Sequence, residues 1–384
     1  MRKTALATAI LIIFLVSLSI AQENPCDQSY IKAMTAKDAN QKAKLLKDFL
    51  AQCAGKGSQY ENFAHAELCK LAYAGKTEKE TIDHGEKALA IGGLDDVTKY
   101  TILVTVAAMY GQTGTNLEKG KTYAAQAAQI GQAQKNDQLV GAAHYVQGQV
   151  LQKAKDYKGA VTAYVKSYNI LKNKQIAGEL AKLGQSLYEA KAYSDAASAL
   201  KVATSALDNY GTTVLYAKSL HRSGKTSEAL NYYKQAYTKK KSGELAYNIG
   251  LILAKQSNSG NNGSAEAIKY LLEASFLSQS NSEKAMELAQ QLFFNHEVPG
   301  YNDQIKQLES KNESLTTLTN TFNSKFGEKA EEDLSDAEKA EMNKILKQID
   351  AEQKAVAAIQ AEQQKALEKF QALIAQTKTR LGIS

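Results

Sequence analysis

Apolar positions along this chain recur every three or four residues instead of alternating, the spacing that gathers them on one face of a helix. The stretch from Leu180 shows it best: L-A-K-L-G-Q-S-L-Y-E-A-K-A-Y-S-D-A-A-S-A-L-K-V-A. It predicts two amphipathic helices around a turn at Ala192-Tyr193. Small residues punctuate both helices, Gly184 between Leu183 and Leu187 on the first and Ala196 and Ala203 around Leu200 on the second. Helices approach to about 8–10 Å only where side chains let them, so this pattern predicts a tightly packed antiparallel pair.

The same frame fits five more segments, with the second helix keeping its four-then-three spacing each time. Its anchors are Thr81, Gly85 and Ala88; Gly120, Ala124 and Ala127; Ala160, Tyr164 and Ser167; Ala229, Tyr233 and Ala236; and Ala267, Leu271 and Ala274. The small positions of the first helix are Cys69, Ala107, Gly148, Ala217 and Gly250. Successive second-helix anchors lie 39, 40, 36, 33 and 38 residues apart. The repeat is loose, but self-similarity of this length marks stacked supersecondary units. The sixth unit is longer between its helices because it contains the run from Ser257 to Ser264, which has loop chemistry.

This frame resembles the tetratricopeptide repeat, although Cys69 and Thr81 replace the usual small pair, Gln147 stands where leucine is expected, and the proline that often closes the motif is missing. The resemblance implies an all-α fold, a solenoid of antiparallel helix pairs. It also implies that the first helix of each pair lines a concave groove. Carried over residue by residue, the ligand-facing positions are Tyr145, Gln149, Gln152 and Lys153, then Gln185, Tyr188 and Glu189, then Lys218, His221, Arg222, Tyr247 and Lys255. Tyrosines beside cations suit a peptide or protein partner carrying acidic groups. Lys218 and Arg222 resemble half of a dicarboxylate clamp, but Tyr145, Gln149 and Gln185 replace its other half, so no specific clamp is expected.

Both ends depart from the repeat. Arg2 and Lys3 precede an apolar run from Ala5 to Leu18 and then Ser19-Ile20-Ala21, the pattern of a secretory signal over 1–21 that places the chain in the periplasm or outside the cell. An uncleaved membrane anchor is the alternative. Residues 22–58 are expected to form a capping helix pair, 59–298 about six repeats, and 299–384 a helical hairpin or coiled coil. Ser282 to Asn295 is expected to be one further helix before His296-Glu297-Val298-Pro299-Gly300 breaks the pattern. A helix over 301–326 precedes Ser335 and Glu338, a capping box that opens a helix running to Leu381. Its seam is Met342, Ile345, Ile349, Val356, Ile359, Ala366, Phe370 and Leu373, interrupted by Glu352 and Gln363. The stripe from Val356 onward is expected to lie beyond the 301–326 helix. It must dock on the repeats or on a second copy, giving a homodimer through 335–381.

Export puts the three cysteines in an oxidising compartment. If 27–36 and 40–53 form an antiparallel pair, Cys26 comes beside Cys53 and a disulfide is expected there. Cys69 then remains a buried thiol.

Composition narrows the function. Of 47 basic residues only Arg2, Arg222 and Arg380 are arginine, so the formal charge of +7 is carried by lysine and sequence-specific nucleic-acid reading is not expected. The five histidines, His65, His84, His144, His221 and His296, fall into no metal or catalytic motif. No cofactor, metal or enzymatic activity is expected. The functional expectation is an exported scaffold or adaptor, with a membrane-held envelope assembly factor as the alternative.

Overall fold

A computed structural model of the chain describes residues 25–257 and 263–383. The expected signal segment and most of the Ser257–Ser264 run lie outside the described residues. Among them there are seventeen α-helices and no strand. They divide into two compact units, Met1–Leu183 and Gly184–Ser384.

The first unit holds α1 (Pro25–Thr35), α2 (Ala39–Cys53), α3 (Glu61–Ala74), α4 (Glu78–Ile91), α5 (Asp96–Thr113), α6 (Leu117–Ala133), α7 (Asp137–Lys153) and α8 (Tyr157–Leu171). The division falls within α9 (Lys174–Glu189). The second holds α10 (Tyr193–Leu207), α11 (Tyr210–Arg222), α12 (Thr226–Lys239), α13 (Gly243–Ser257), α14 (Ser264–Leu277), α15 (Ser282–Leu292), α16 (Tyr301–Phe326) and α17 (Asp336–Leu381). Starts are set by short polar side chains that accept a first-turn N–H: Asp38, Asp95, Asn136, Asp156 and Asn209. The turn after α9 is Ala190–Ala192, with Lys191 left-handed at φ 62°, and Tyr193 is already helical. It closes earlier than the sequence pattern placed it because the N–H groups of Lys191 and Ala192 return to the carbonyls of Tyr188 and Leu187.

All eighteen second-helix anchors are buried, and so are the six small positions facing them. Where glycine occupies one of these positions the packing is one-sided, a small residue set against a filler on the facing helix. A β-carbon on Gly148 would sit 2.6 Å from the Tyr164 ring, one on Gly184 2.5 Å from Leu200 and one on Gly250 2.6 Å from Leu271. In the first repeat the roles reverse. Gly85 is the small partner, and its β-carbon would lie 3.0 Å from Cys69 Sγ and 2.2 Å from Val106. The hydroxyls that replace alanine at these interfaces are satisfied, Thr81 donating within its own helix to the Thr77 carbonyl at 2.8 Å and Ser167 across the pair to that of Gly141 at 2.7 Å.

Two glycines separate packing from propensity. A β-carbon on Gly243 would meet backbone, 2.5 Å from the Ser278 nitrogen and 2.6 Å from the Leu277 carbonyl carbon. One on Gly178 would meet nothing within 4 Å. Gly243→Ala should therefore destabilise by about 1–3 kcal/mol through overpacking. Gly178→Ala, in the interior of α9, should stabilise by about 0.5–1 kcal/mol. Urea titrations of both variants check this, and a loss of stability in each would contradict it.

The N-terminal pair closes on a disulfide between Cys26 and Cys53, Cα atoms 5.6 Å apart. Leu46 and Phe49 then pack with Ala64 and Leu68 of α3, and the Tyr30 ring stacks on Tyr60 at 4.6 Å. Cys69 is the buried free thiol, its pKa pushed up to about 12 chiefly by desolvation.

The C-terminal part corrects three expectations. The α-helix after the last repeat stops at Leu292 and continues as a π-turn, Phe293–Glu297, which turns both phenylalanines inward. The hairpin of α16 and α17 is closed by Phe326, Leu334 and Ile345 and reaches further than expected, since Gln304 Nε2 donates to Glu362 at 2.8 Å. Val356 and Ile359 thus lie within its span. Glu352, a polar break in the seam, accepts from Lys311 at 3.0 Å and Ser314 at 3.3 Å. Beyond the hairpin α17 docks on its own chain: Phe370 packs 5.2 Å from Phe293, and the Arg380 guanidinium donates to Glu273 at 2.9 Å. Ile359, Ala366 and Phe370 are buried in these contacts. The stripe invoked for a homodimer through 335–381 is covered in cis.

Candidate functional site

In the first unit, Tyr145, Gln149 and Lys153 stand a helical turn apart on α7. The Tyr145 ring lies 5.7 Å from the buried Tyr164 ring, whose hydroxyl donates to Gln152 Oε1 at 3.0 Å. Burial, then the nearby Glu179 carboxylate, raises the Tyr145 phenol, while a hydrogen bond with Gln149 acts the other way. Tyr145 and Gln149 are half-buried and Lys153 is exposed.

In the second unit, Gln185 on α9 donates to Glu189 at 3.0 Å, and Tyr188 meets Tyr193 edge-on at 5.3 Å. On α11, Lys218 is paired with Glu244 of α13 at 2.6 Å. It is therefore a partly neutralised cation, a point hidden from a reading that assigned Lys218 and Glu244 to different repeats. His221 lies edge-on to Tyr233 at 6.0 Å. Its pKa is lowered first by burial and then by the charges of Lys255 and Arg222. The fold thus brings His221, Arg222 and Lys255 within electrostatic reach of one another, around the buried Tyr233. Tyr247 is half-buried on α13. What this arrangement can do is hold a polar or acidic chain by cations and phenol edges.

No family model matches the chain, and no curated protein matches it. Among solved structures it is similar to a tetratricopeptide repeat protein from Parabacteroides merdae, with 14% identity over 68% of this chain and 99% of that one and a TM-score of 0.35. It is also similar to the TPR domain of P58(IPK), at 14% identity over 92% of this chain and 99% of that one, TM-score 0.24. A third similar structure is the TPR2AB domain of yeast Sti1 in its complex with pHSP90, at 15% identity over 61% and 99%, TM-score 0.26. By its own helix-pair geometry the fold is tetratricopeptide-like.

Among the described residues no group of three or more His, Cys, Asp or Glu side chains could hold a metal ion. None of the described helices is long and apolar enough to cross a membrane.

Proposed function

We propose that this chain is an exported, non-catalytic scaffold that binds a protein or peptide partner with acidic groups on the exposed face of its first-of-pair helices. One observation carries this reading: the charges of Lys255 and Arg222 both act on His221, which lies edge-on to the buried Tyr233. A cationic face of this kind is complementary to an acidic partner group, and Tyr188 and Tyr247 supply contact area at little entropic cost. The signal-like N-terminus supports export, and N-terminal sequencing of the mature protein tests it, since an intact Met1 favours the membrane-held alternative.

Binding is tested by placing a photo-crosslinker at Tyr188 or Tyr247 in the native compartment and measuring affinity for the protein captured. Arg222→Glu should weaken that binding at least about tenfold, the effect of a like charge facing an acidic group. Because Arg222 is exposed, thermal stability should change by no more than about 0.5 kcal/mol. Unchanged affinity with Arg222→Glu and Lys255→Glu together would refute the cationic face.

A further inference from the structure

The histidines are dispersed along the sequence, but the fold brings two of them into contact. His65 on α3 and His84 on α4 face each other with their Nδ1 atoms 2.8 Å apart. Their ring centroids are 5.1 Å apart, which equals the nitrogen separation plus one ring radius at each end. The two nitrogens therefore point head-on at each other. Metal ligands would converge on a third point, so this geometry is that of one shared proton, Nδ1–H on one ring and a bare Nδ1 on the other.

That arrangement has an unequal response to acid. A first added proton goes to the outward Nε2 of the donor ring and leaves the bridge intact, now charge-assisted. A second goes to the accepting Nδ1, so two N–H groups face each other and the bridge is lost. His65 is only 7% exposed, so water does little to relieve the repulsion. The charges around the pair come from three helices: Lys47 of α2, Glu61 of α3, and Glu80, Asp83 and Lys87 of α4. Two of the three acids are engaged elsewhere, Glu80 by Lys47 at 2.9 Å and Glu61 by the Gly55 N–H at 2.8 Å. Lys87 opposes protonation of either ring.

We propose that the His65–His84 pair is an acid-sensitive bolt on the first repeat, whose second protonation parts α3 from α4 and uncovers Cys69, one helical turn along from His65. The sign follows from linkage. Burial first, then His84 and Lys87, hold the His65 pKa down to about 4, and His84 is lowered as well. The opened state therefore binds more protons, so the bolt is fully closed above the ordinary histidine value of about 6.5 and is released as pH falls toward 4.

Cys69 is a built-in reporter, because the other two cysteines are joined. The rate of its modification in the full chain is measured from pH 8 to pH 4 with 4,4′-dithiodipyridine, an aromatic disulfide that still reacts with thiols in acid. In the wild type the rate should rise at least about tenfold below pH 6.5, the effect of one unit of pKa difference. In the double variant His65→Asn, His84→Asn, whose amides can bridge but cannot take a proton, it should stay flat. An equal rise in both proteins, or none in the wild type, overturns the proposal. Long-range proton–nitrogen NMR of the wild type at pH 8 provides a test that needs no variant. One ring must be the Nδ1–H tautomer and the other Nε2–H, and two Nε2–H rings would show that no bridge exists.

Discussion

Arg380→Leu should lower the stability of the C-terminal unit by about 2–3 kcal/mol, because it leaves the carboxylate of Glu273 buried without its cation. Glu273 is 3% exposed, against 42% for Arg380. That asymmetry sets the magnitude: the full cost of breaking a buried pair is about 3–5 kcal/mol, and the solvent that reaches the guanidinium side trims it. The other Glu273 oxygen accepts from the Tyr237 hydroxyl at 2.7 Å, so the carboxylate is fixed whether or not arginine is present. Adding Glu273→Gln to Arg380→Leu should recover most of the loss, since a neutral amide still accepts from Tyr237. The same variant should free the last turns of α17, where the Lys378 ammonium lies 5.6 Å from the Phe276 ring and Thr377 is buried. Denaturant titration and limited proteolysis read the two effects. A chain ended after Gly327 should keep the oligomeric state of the full chain in light scattering, its mass falling only by the residues removed, while melting earlier. A halved mass would mean that α17 packs between copies after all.

Reduction of the Cys26–Cys53 bond should release α1 from the rest of the chain. The bond closes a loop of 27 residues, worth about 3–4 kcal/mol if the unfolded chain is unrestrained. Ala33 is the one fully buried residue of α1, whose other packing comes from the partly buried Tyr30 and Met34. α2, by contrast, buries Leu46, Phe49 and Cys53 against the next helix. Hydrogen exchange after mild reduction should accordingly show α1 amides exchanging at nearly the unfolded rate while α2 stays protected. Protection retained throughout α1 would mean that Tyr30, stacked on Tyr60 and tilted against Phe49, holds the helix without the bond.

The recurring small residues made the helix pairs legible without a structure. Close approach of two adjacent helices is a local requirement, written into positions four and three residues apart, and the buried contacts of Gly148 with Tyr164 and Gly184 with Leu200 occupy the positions that spacing marked. The positions proposed to face a partner, Tyr188, His221, Arg222 and Lys255 among them, are placed by the same frame. Their charge state is not. Lys218 is paired because Glu244 opens the next first-of-pair helix opposite it, and that depends on the angle between two helices, which no periodicity records.

The amino-acid pattern by itself determined the helices, their pairing and the faces they bury, because each depends on residues close in the chain and on side-chain volume. Only the tertiary structure decided where the long C-terminal helix goes and which histidines meet. Arg380 finds Glu273 across 107 residues, and His65 meets His84 through ring orientation. The first contact depends on how several helices stack and the second on the register and ring orientation of two adjacent helices, so a single guanidinium or imidazole leaves no signature of its partner in the sequence around it.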